Sequence, residues 1–278
     1  MWALYFLLSK ILNVEEAADE KVNGSDGDHV NARECQDAIL AGSHFVEVPH
    51  ISQLHSWDCG LACVLMTLNT IGINNCSIQT LEELCCTTSI WTVDLAFLLQ
   101  NFSVRFSYFT VTLGANPNYS AETFYKEQLP TDLVRVDMLF QEAREKGITI
   151  QCRSINVKEI ALLILSGRYI AIALVDQYIL SRSWMEDVIF SGLNRSNSSY
   201  TGHYVVICGY DASADEFEIR DPASSRISER ISSKCLEEAR KSYGTDEDLL
   251  LISLEKSSEQ NSSSLQHSPH VDVSLHCT

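Results

Sequence analysis

The run Gly60 to Ile71, GLACVLMTLNTI, carries apolar residues at helical spacing around nearly its whole circumference. A helix without a polar face cannot lie on a surface, so the fold must cover it on every side with other helices or a sheet. Just before it stands VPHISQLHSWDC, an irregular polar stretch that ends at Cys59. The chain therefore enters a buried helix at a cysteine. The first turn of a helix offers unpaired N–H groups and a partial positive charge, and both favour a thiolate. Gly60 would let a substrate approach the sulfur and the backbone amide. Gln53 lies a short loop upstream, where its side-chain amide can join the Cys59 N–H in holding the negative oxygen of a tetrahedral intermediate. Trp57 and Asp58 complete the loop, and Asp58 is placed to cap the helix.

A second segment supplies the partners such a thiol needs. Thr201 to Pro222, TGHYVVICGYDASADEFEIRDP, has the form of a β-hairpin turning at Asp211 to Asp215. A hairpin centred near residue 212 sets His203 roughly opposite Asp221. A carboxylate there fixes the imidazole tautomer through one ring nitrogen and leaves the other to take the Cys59 proton. Orienter, base and nucleophile are the groups thiol catalysis requires. His44, His50 and His55 lack a strand-fixed carboxylate and read as surface residues, while His267, His270 and His276 fall in a polar tail. Each candidate also has a plainer role open to it: an inert buried thiol, a structural strand histidine, a solvated glutamine.

The remaining pattern is α+β. Helices are expected at 78–86, at 93–101 behind a Thr92 cap, and as amphipathic segments at 119–128 and 133–146, the latter ending at Gly147. Another helix spans 157–166 and stops at Gly167. Strands are expected at 102–111, 148–152, 204–208, 216–220 and 249–254. Tyr169 to Val175 is an uninterrupted apolar strand, as expected at the centre of a sheet. One domain is expected over 45–254, preceded at 1–44 by an apolar segment and an acidic linker and followed at 255–278 by a disordered Ser-rich tail. Met1 to Leu12 is too short to span a bilayer and lacks a basic start and a cleavage site. It reads as a docking element, with weak membrane or partner contact as the alternative.

Composition narrows the function. A net charge of −17 over 278 residues argues against a surface built to neutralise nucleic-acid backbones. The ten cysteines form no paired C-x-x-C knuckles and follow no cleavable leader, so neither structural zinc nor a disulfide framework is expected, and a cytoplasmic or nuclear setting fits.

The residues Gln53-Leu-His-Ser-Trp-Asp-Cys59-Gly60-Leu-Ala, with His203-Tyr-Val-Val and Asp221-Pro222, resemble the papain-like domain of bacteriocin-processing cysteine peptidases. The longer runs FVEVPHISQLHSWDCGLACVL, SIWTVDLAFLLQNF, GANPNYSAETFYKEQLP and TGHYVVICGYDASADEFEIRDPASS are similar to the plant guanylyl cyclase family. The first resemblance implies an α+β papain-like cysteine-peptidase fold, its nucleophile helix packed on a mainly antiparallel sheet. The second implies conversion of GTP to cyclic GMP and diphosphate, with Mg or Mn as cofactor. The residues themselves favour a cysteine hydrolase or peptidase acting on a peptide or acyl substrate. A cyclase would need metal-holding carboxylates and phosphate contacts. Asp94, Asp132, Asp137 and Asp176 offer the first, although each serves equally as a helix cap or surface charge, and Arg105, Arg135 and Arg153 offer the second, although they read more readily as solvated surface charges. A third expectation is an inactive binding module with the polar segment 191–202 as a cover.

Overall fold

The computed structural model describes residues 42–122, 125–182 and 200–255. The N-terminal apolar segment, most of the linker, the tail and nearly all of the expected cover at 191–202 lie outside the described residues. In chain order the elements are β1 (Ser43–Phe45), α1 (Cys59–Thr70), α2 (Ile78–Cys85), α3 (Thr92–Asn101), β2 (Phe106–Thr110) and a 3-10 turn (Pro117–Ala121). Next come α4 (Leu129–Ala143), β3 (Ile150–Cys152), α5 (Val157–Leu165), β4 (Tyr169–Asp176) and α6 (Gln177–Arg182). The chain continues through β5 (Gly202–Asp211), β6 (Glu216–Arg220), β7 (Glu229–Ser232), α7 (Ser233–Arg240) and β8 (Leu249–Ser253).

The strands form one sheet in the order β3-β2-β8-β4-β5-β6-β7, with β1 added to β5. Among the described residues, only β2 and β3 run parallel, and every other pair is antiparallel. The strand β4, YIAIALVD, shows why. Ile170, Ile172 and Leu174 point to one core, with α1, α3 and α4. Ala171, Ala173 and Val175 point to a second core, with α5 and α7. A strand covered on both faces needs apolar residues at every position, which explains its unbroken run. The result is an α+β domain with helices on both faces of a mainly antiparallel sheet, and α1 packs on β5 as the papain-like expectation requires. Among the described residues, no helix is long and apolar enough to cross a membrane.

Four local expectations are corrected. Thr92 is the first residue of α3 rather than its cap, and the Asp94 carboxylate receives the Trp91 N–H instead, at 2.8 Å. The helix expected at 119–128 is a 3-10 turn followed by further turns. There the Tyr119 hydroxyl bonds Asp246 at 2.6 Å and the Tyr125 hydroxyl the Gly244 carbonyl at 2.8 Å, so long-range contacts override the helical pattern. α4 begins at Leu129 rather than at 133, because Pro130 sits in its first turn, where a missing N–H costs nothing. The β5–β6 hairpin pairs Asp211 with Glu216 and Val206 with Arg220, with a register shift between Ile207 and Gly209. That register is displaced from the expected one by three residues near the turn and by two beyond the bulge. The strand neighbour of His203 is Val175 on β4, not Asp221.

Candidate active site

α1 begins at Cys59, which is 5% exposed, so the sulfur sits where loop meets buried helix. Asp58 occupies the N-cap position, but its carboxylate does not cap. It turns back and accepts the Leu54 and His55 N–H groups, both at 3.0 Å. Its work is to fold the 54–58 loop against the helix start. Gly60 also departs from expectation. A Cβ there would lie 3.0 Å from a Leu95 methyl and 3.1 Å from the Tyr204 ring, so the missing side chain serves close packing of α1 on α3 and β5 rather than substrate access.

Asp221 reaches His203 from outside the ladder. β6 ends at Arg220, whose buried guanidinium donates to the Val48 carbonyl at 2.9 Å and to Glu218 at 2.7 Å, pinning the strand end to the segment leading to Cys59. The chain then turns, with the Ala223 N–H on Asp221 Oδ1 at 2.8 Å and the Gln53 N–H on the Pro222 carbonyl at 3.0 Å. This turn presents Asp221 Oδ1 to His203 Nε2 at 2.7 Å. The contact expected from the sequence is made, by a turn rather than by strand pairing. With Nε2 engaged, Nδ1 is the ring nitrogen left for the thiol, and Cys59 lies close enough to bear on the charge of His203.

Burial, which leaves His203 3% exposed, disfavours a charged imidazole. The Asp221 carboxylate, which accepts the ring N–H, and the nearby Cys59 outweigh it and raise His203 to about 9. For Asp221 burial again works against charge, but the His203 bond and charge, the Ala223 N–H and nearby His50 hold its carboxyl below the usual range. His50, read from sequence as a surface residue, contacts the Asp221 backbone carbonyl through Nε2 at 2.9 Å. No local motif marks it; the contact exists only because the 48–53 segment is tied to the 221–222 turn.

Gln53 stands in the same loop, with its amide nitrogen donating to the His55 carbonyl at 2.7 Å. One of its two amide hydrogens is thus committed, and the second is available. The metal and phosphate candidates are used elsewhere. Asp94 and Asp132 bind Arg135, which also donates to the Ser89 carbonyl at 2.9 Å, in a network that joins α3 to α4. Asp137 accepts the Ala115 N–H at 3.2 Å, and Asp176 the Ser242 hydroxyl at 2.8 Å. Arg153 pairs with Glu159 at 2.7 Å, and Arg105 with Glu255. Among the described residues, no group of three or more His, Cys, Asp or Glu gathers to hold a metal ion.

A pocket of about 230 Å3 opens beside Cys59, walled by Trp57, Trp91, Tyr125 and Tyr204 and reaching Asp246 and Asp248. Neither carboxyl is among the residues the sequence pattern singles out. Asp248 is 5% exposed, and burial, reinforced by the Asp246 charge, raises it to about 8. Burial also raises Asp246, less so because Thr112 and Tyr119 donate to it. The available signal was the acidic run Asp246-Glu-Asp248 set directly against the buried strand LLLIS.

A family profile described as guanylylate cyclase matches residues 48–252. Guanylyl cyclase 1 of Arabidopsis thaliana is 63% identical over 273 residues, covering 94% of this chain and 99% of its own length. Two solved structures are more distant. A putative C39-like peptidase from Bacillus anthracis aligns over 74% of this chain and 94% of its own, at 13% identity and TM-score 0.44. Xylellain, a cysteine protease from Xylella fastidiosa, aligns over 86% of this chain and 94% of its own, at 12% identity and TM-score 0.42.

Proposed function

The chain belongs to the guanylylate cyclase family, and from that premise and the site inside the matched region we propose an enzyme that works through the Cys59 thiol, a cysteine hydrolase of peptide or acyl substrates. The observation that carries this reading is the 2.7 Å bond that ties His203 Nε2 to Asp221, in an imidazole whose charge is influenced by nearby Cys59. The sulfur attacks a carbonyl as thiolate, forming the S–C bond while the carbonyl oxygen takes the electron pair. The Cys59 N–H and the second amide hydrogen of Gln53 would hold that oxyanion. His203, charged up to about 9, supplies the proton to the leaving group as the acyl–leaving-group bond breaks. A water, deprotonated by the now neutral His203, then cleaves the thioester and restores the thiol. Asp221 keeps Nε2–H bonded and Nδ1 turned to sulfur throughout. The cysteine usage supports a cytosolic setting.

Iodoacetamide labelling with peptide mapping tests this. Cys59 should react faster than the other cysteines, and the advantage should vanish in His203→Ala. Uniform labelling of all cysteines would refute the reading.

Family membership favours a second reading, a guanylyl cyclase forming cyclic GMP and diphosphate from GTP. Mg or Mn would neutralise phosphate charge in that chemistry. The carboxylates considered for the ion do not fit, since Asp94 and Asp132 are taken by Arg135 while Asp137 and Asp176 serve separate contacts. Purified protein given GTP with either metal, beside its Cys59→Ala variant, separates the readings. Cyclic GMP formed equally by both would put a cyclase site away from Cys59. Neither turnover nor selective labelling would leave a binding module.

A further inference from the structure

Asp221 lies one residue beyond the end of β6, so no strand ladder holds it. A turn aims its carboxylate at His203, and that turn is clamped from two sides. On one side the Ser224 N–H donates to the Asp221 carbonyl at 3.1 Å, and the Ser224 hydroxyl to Glu229 Oε1 on β7 at 2.5 Å. On the other side runs the segment that leads into Cys59. Arg220 Nε donates to the Val48 carbonyl at 2.9 Å, and the Gln53 N–H to the Pro222 carbonyl at 3.0 Å. Between those two ties, His50 Nε2 meets the Asp221 carbonyl at 2.9 Å. A carbonyl can only accept, so His50 carries a proton on Nε2 and donates it to this bond. Among the described residues, no other side chain bonds the backbone of Asp221.

The other ties fix neighbours of Asp221. Val48 and Gln53 hold Arg220 and Pro222, and Ser224 belongs to the turn it closes. The His50 bond fixes Asp221 itself from a separate segment. Its position matters because Oδ1 serves two partners at once, the Ala223 N–H at 2.8 Å and His203 Nε2 at 2.7 Å, and hydrogen bonds weaken steeply as their angles are lost. We propose that His50 is a positioning residue of the Cys59 site, which through the Asp221 carbonyl keeps the carboxylate in line with the His203 ring. It acts through Asp221 and His203 rather than on the substrate. The inference rests on the thiol-hydrolase reading for the reaction it serves but not for its test. The titratable and charged groups that face this turn are Cys59, His203 and Asp221 on the thiol side, with Glu229 and Arg226 beyond it. All five remain in the variants below.

Two effects of removing His50 differ in sign. Losing the alignment of Asp221 lowers His203 from about 9, because the carboxylate helps to raise it. Losing a positive charge at position 50 would raise it instead. The test follows the His203 ring of the full chain by NMR titration. His50→Phe keeps a ring and removes the donor; the His203 midpoint should fall by roughly half a unit to one unit, and kcat/KM for p-nitrophenyl acetate by about tenfold. His50→Gln returns an N–H at similar reach and should recover most of both. His50→Asn, whose amide stops short of the carbonyl, should behave like His50→Phe and replaces it where His50→Phe fails to fold. A His203 midpoint unmoved in His50→Phe and His50→Asn overturns the inference even if the thermal midpoint drops, since a histidine that only docks the loop would do that. An upward shift overturns it in favour of a charge effect, and so does a His50→Gln midpoint as low as that of His50→Phe. The titration needs neither turnover nor a reactive thiol, and iodoacetamide labelling of the wild type judges the thiol reading separately, so failure of one is told from failure of the other.

Discussion

Asp221 and Asp248 are both shielded aspartates near one cysteine, and their surroundings drive them in opposite directions. Asp221 is held below the ordinary carboxylate range, and Asp248 is raised to about 8. Burial pushes both upward; the difference is company. Asp221 has a histidine on one oxygen and the Ala223 N–H on the same side, whereas Asp248 has a neutral tyrosine and the competing charge of Asp246. The first arrangement fixes a negative charge where it can orient an imidazole. The second favours the neutral form of a carboxyl. Sites that separate the ionisation of like groups in this way are those that assign them different tasks.

The comparison is broken most severely at the thiol end. Cys59→Ala should remove thiol-dependent hydrolysis of an activated ester such as p-nitrophenyl acetate, by at least about 10⁴-fold, and His203→Ala should cost nearly as much because the two act as a unit. A residual rate in Cys59→Ala close to wild type would place the chemistry elsewhere. Asp221→Ala is expected to lose on the order of 10²-fold, since base and orienter become uncoupled. Asp221→Asn should lose less, because an amide oxygen still accepts Nε2–H. Its signature is the pH profile: the alkaline limb set by His203 at about 9 should move to lower pH once the carboxylate charge is gone.

How much of this was visible in the sequence depends on the range of the contact. Cys59 at the head of a buried helix was legible because the apolar residues of α1 are local and periodic. The strand β4 was legible for the same reason. His203 and Asp221 were rightly brought together for an incomplete reason, since the bulge after Ile207 and the turn after Arg220 are invisible to a simple hairpin count. Asp58 was legible as a helix neighbour but not as a loop staple, because the same side chain can bond forward or backward. Asp248 was hidden altogether. It bonds Tyr108, 140 residues earlier, and shares a pocket with aromatic walls drawn from four other segments.

Stability should separate the two aspartates with smaller effects. Asp248 has its folded value raised to about 8, so its contribution is fully present below the unfolded value near 4 and is lost as pH rises through about 8. Asp221 has its value lowered, so its contribution is present above the unfolded value and lost as pH falls through the folded one. His203 behaves like a raised base, with stability complete below its unfolded value near 6.5 and lost as pH rises through about 9. Thermal midpoints across pH 6 to about 10 should therefore fall for the wild type. They should fall less for Asp248→Asn, which has no carboxyl to ionise. An identical slope in that variant would mean that the acidic end of the pocket is solvated rather than sealed.

The smallest effect sharpens the loop that serves both regions. Gln53 shares its segment with His50, which touches the Asp221 turn, and with the Asp58 staple. A fully engaged oxyanion donor is worth on the order of 10²–10³ in rate. Gln53 already spends one amide hydrogen on the His55 carbonyl, at 2.7 Å, and that bond fixes where the second can point. Gln53→Ala should therefore lower ester hydrolysis by only about tenfold. Gln53→Glu should cost more than Gln53→Ala, because a carboxylate repels the oxyanion that an amide N–H would stabilise. Equal rates for the two variants would show that Gln53 holds the loop and never meets the oxyanion, leaving the Cys59 N–H to stabilise it alone.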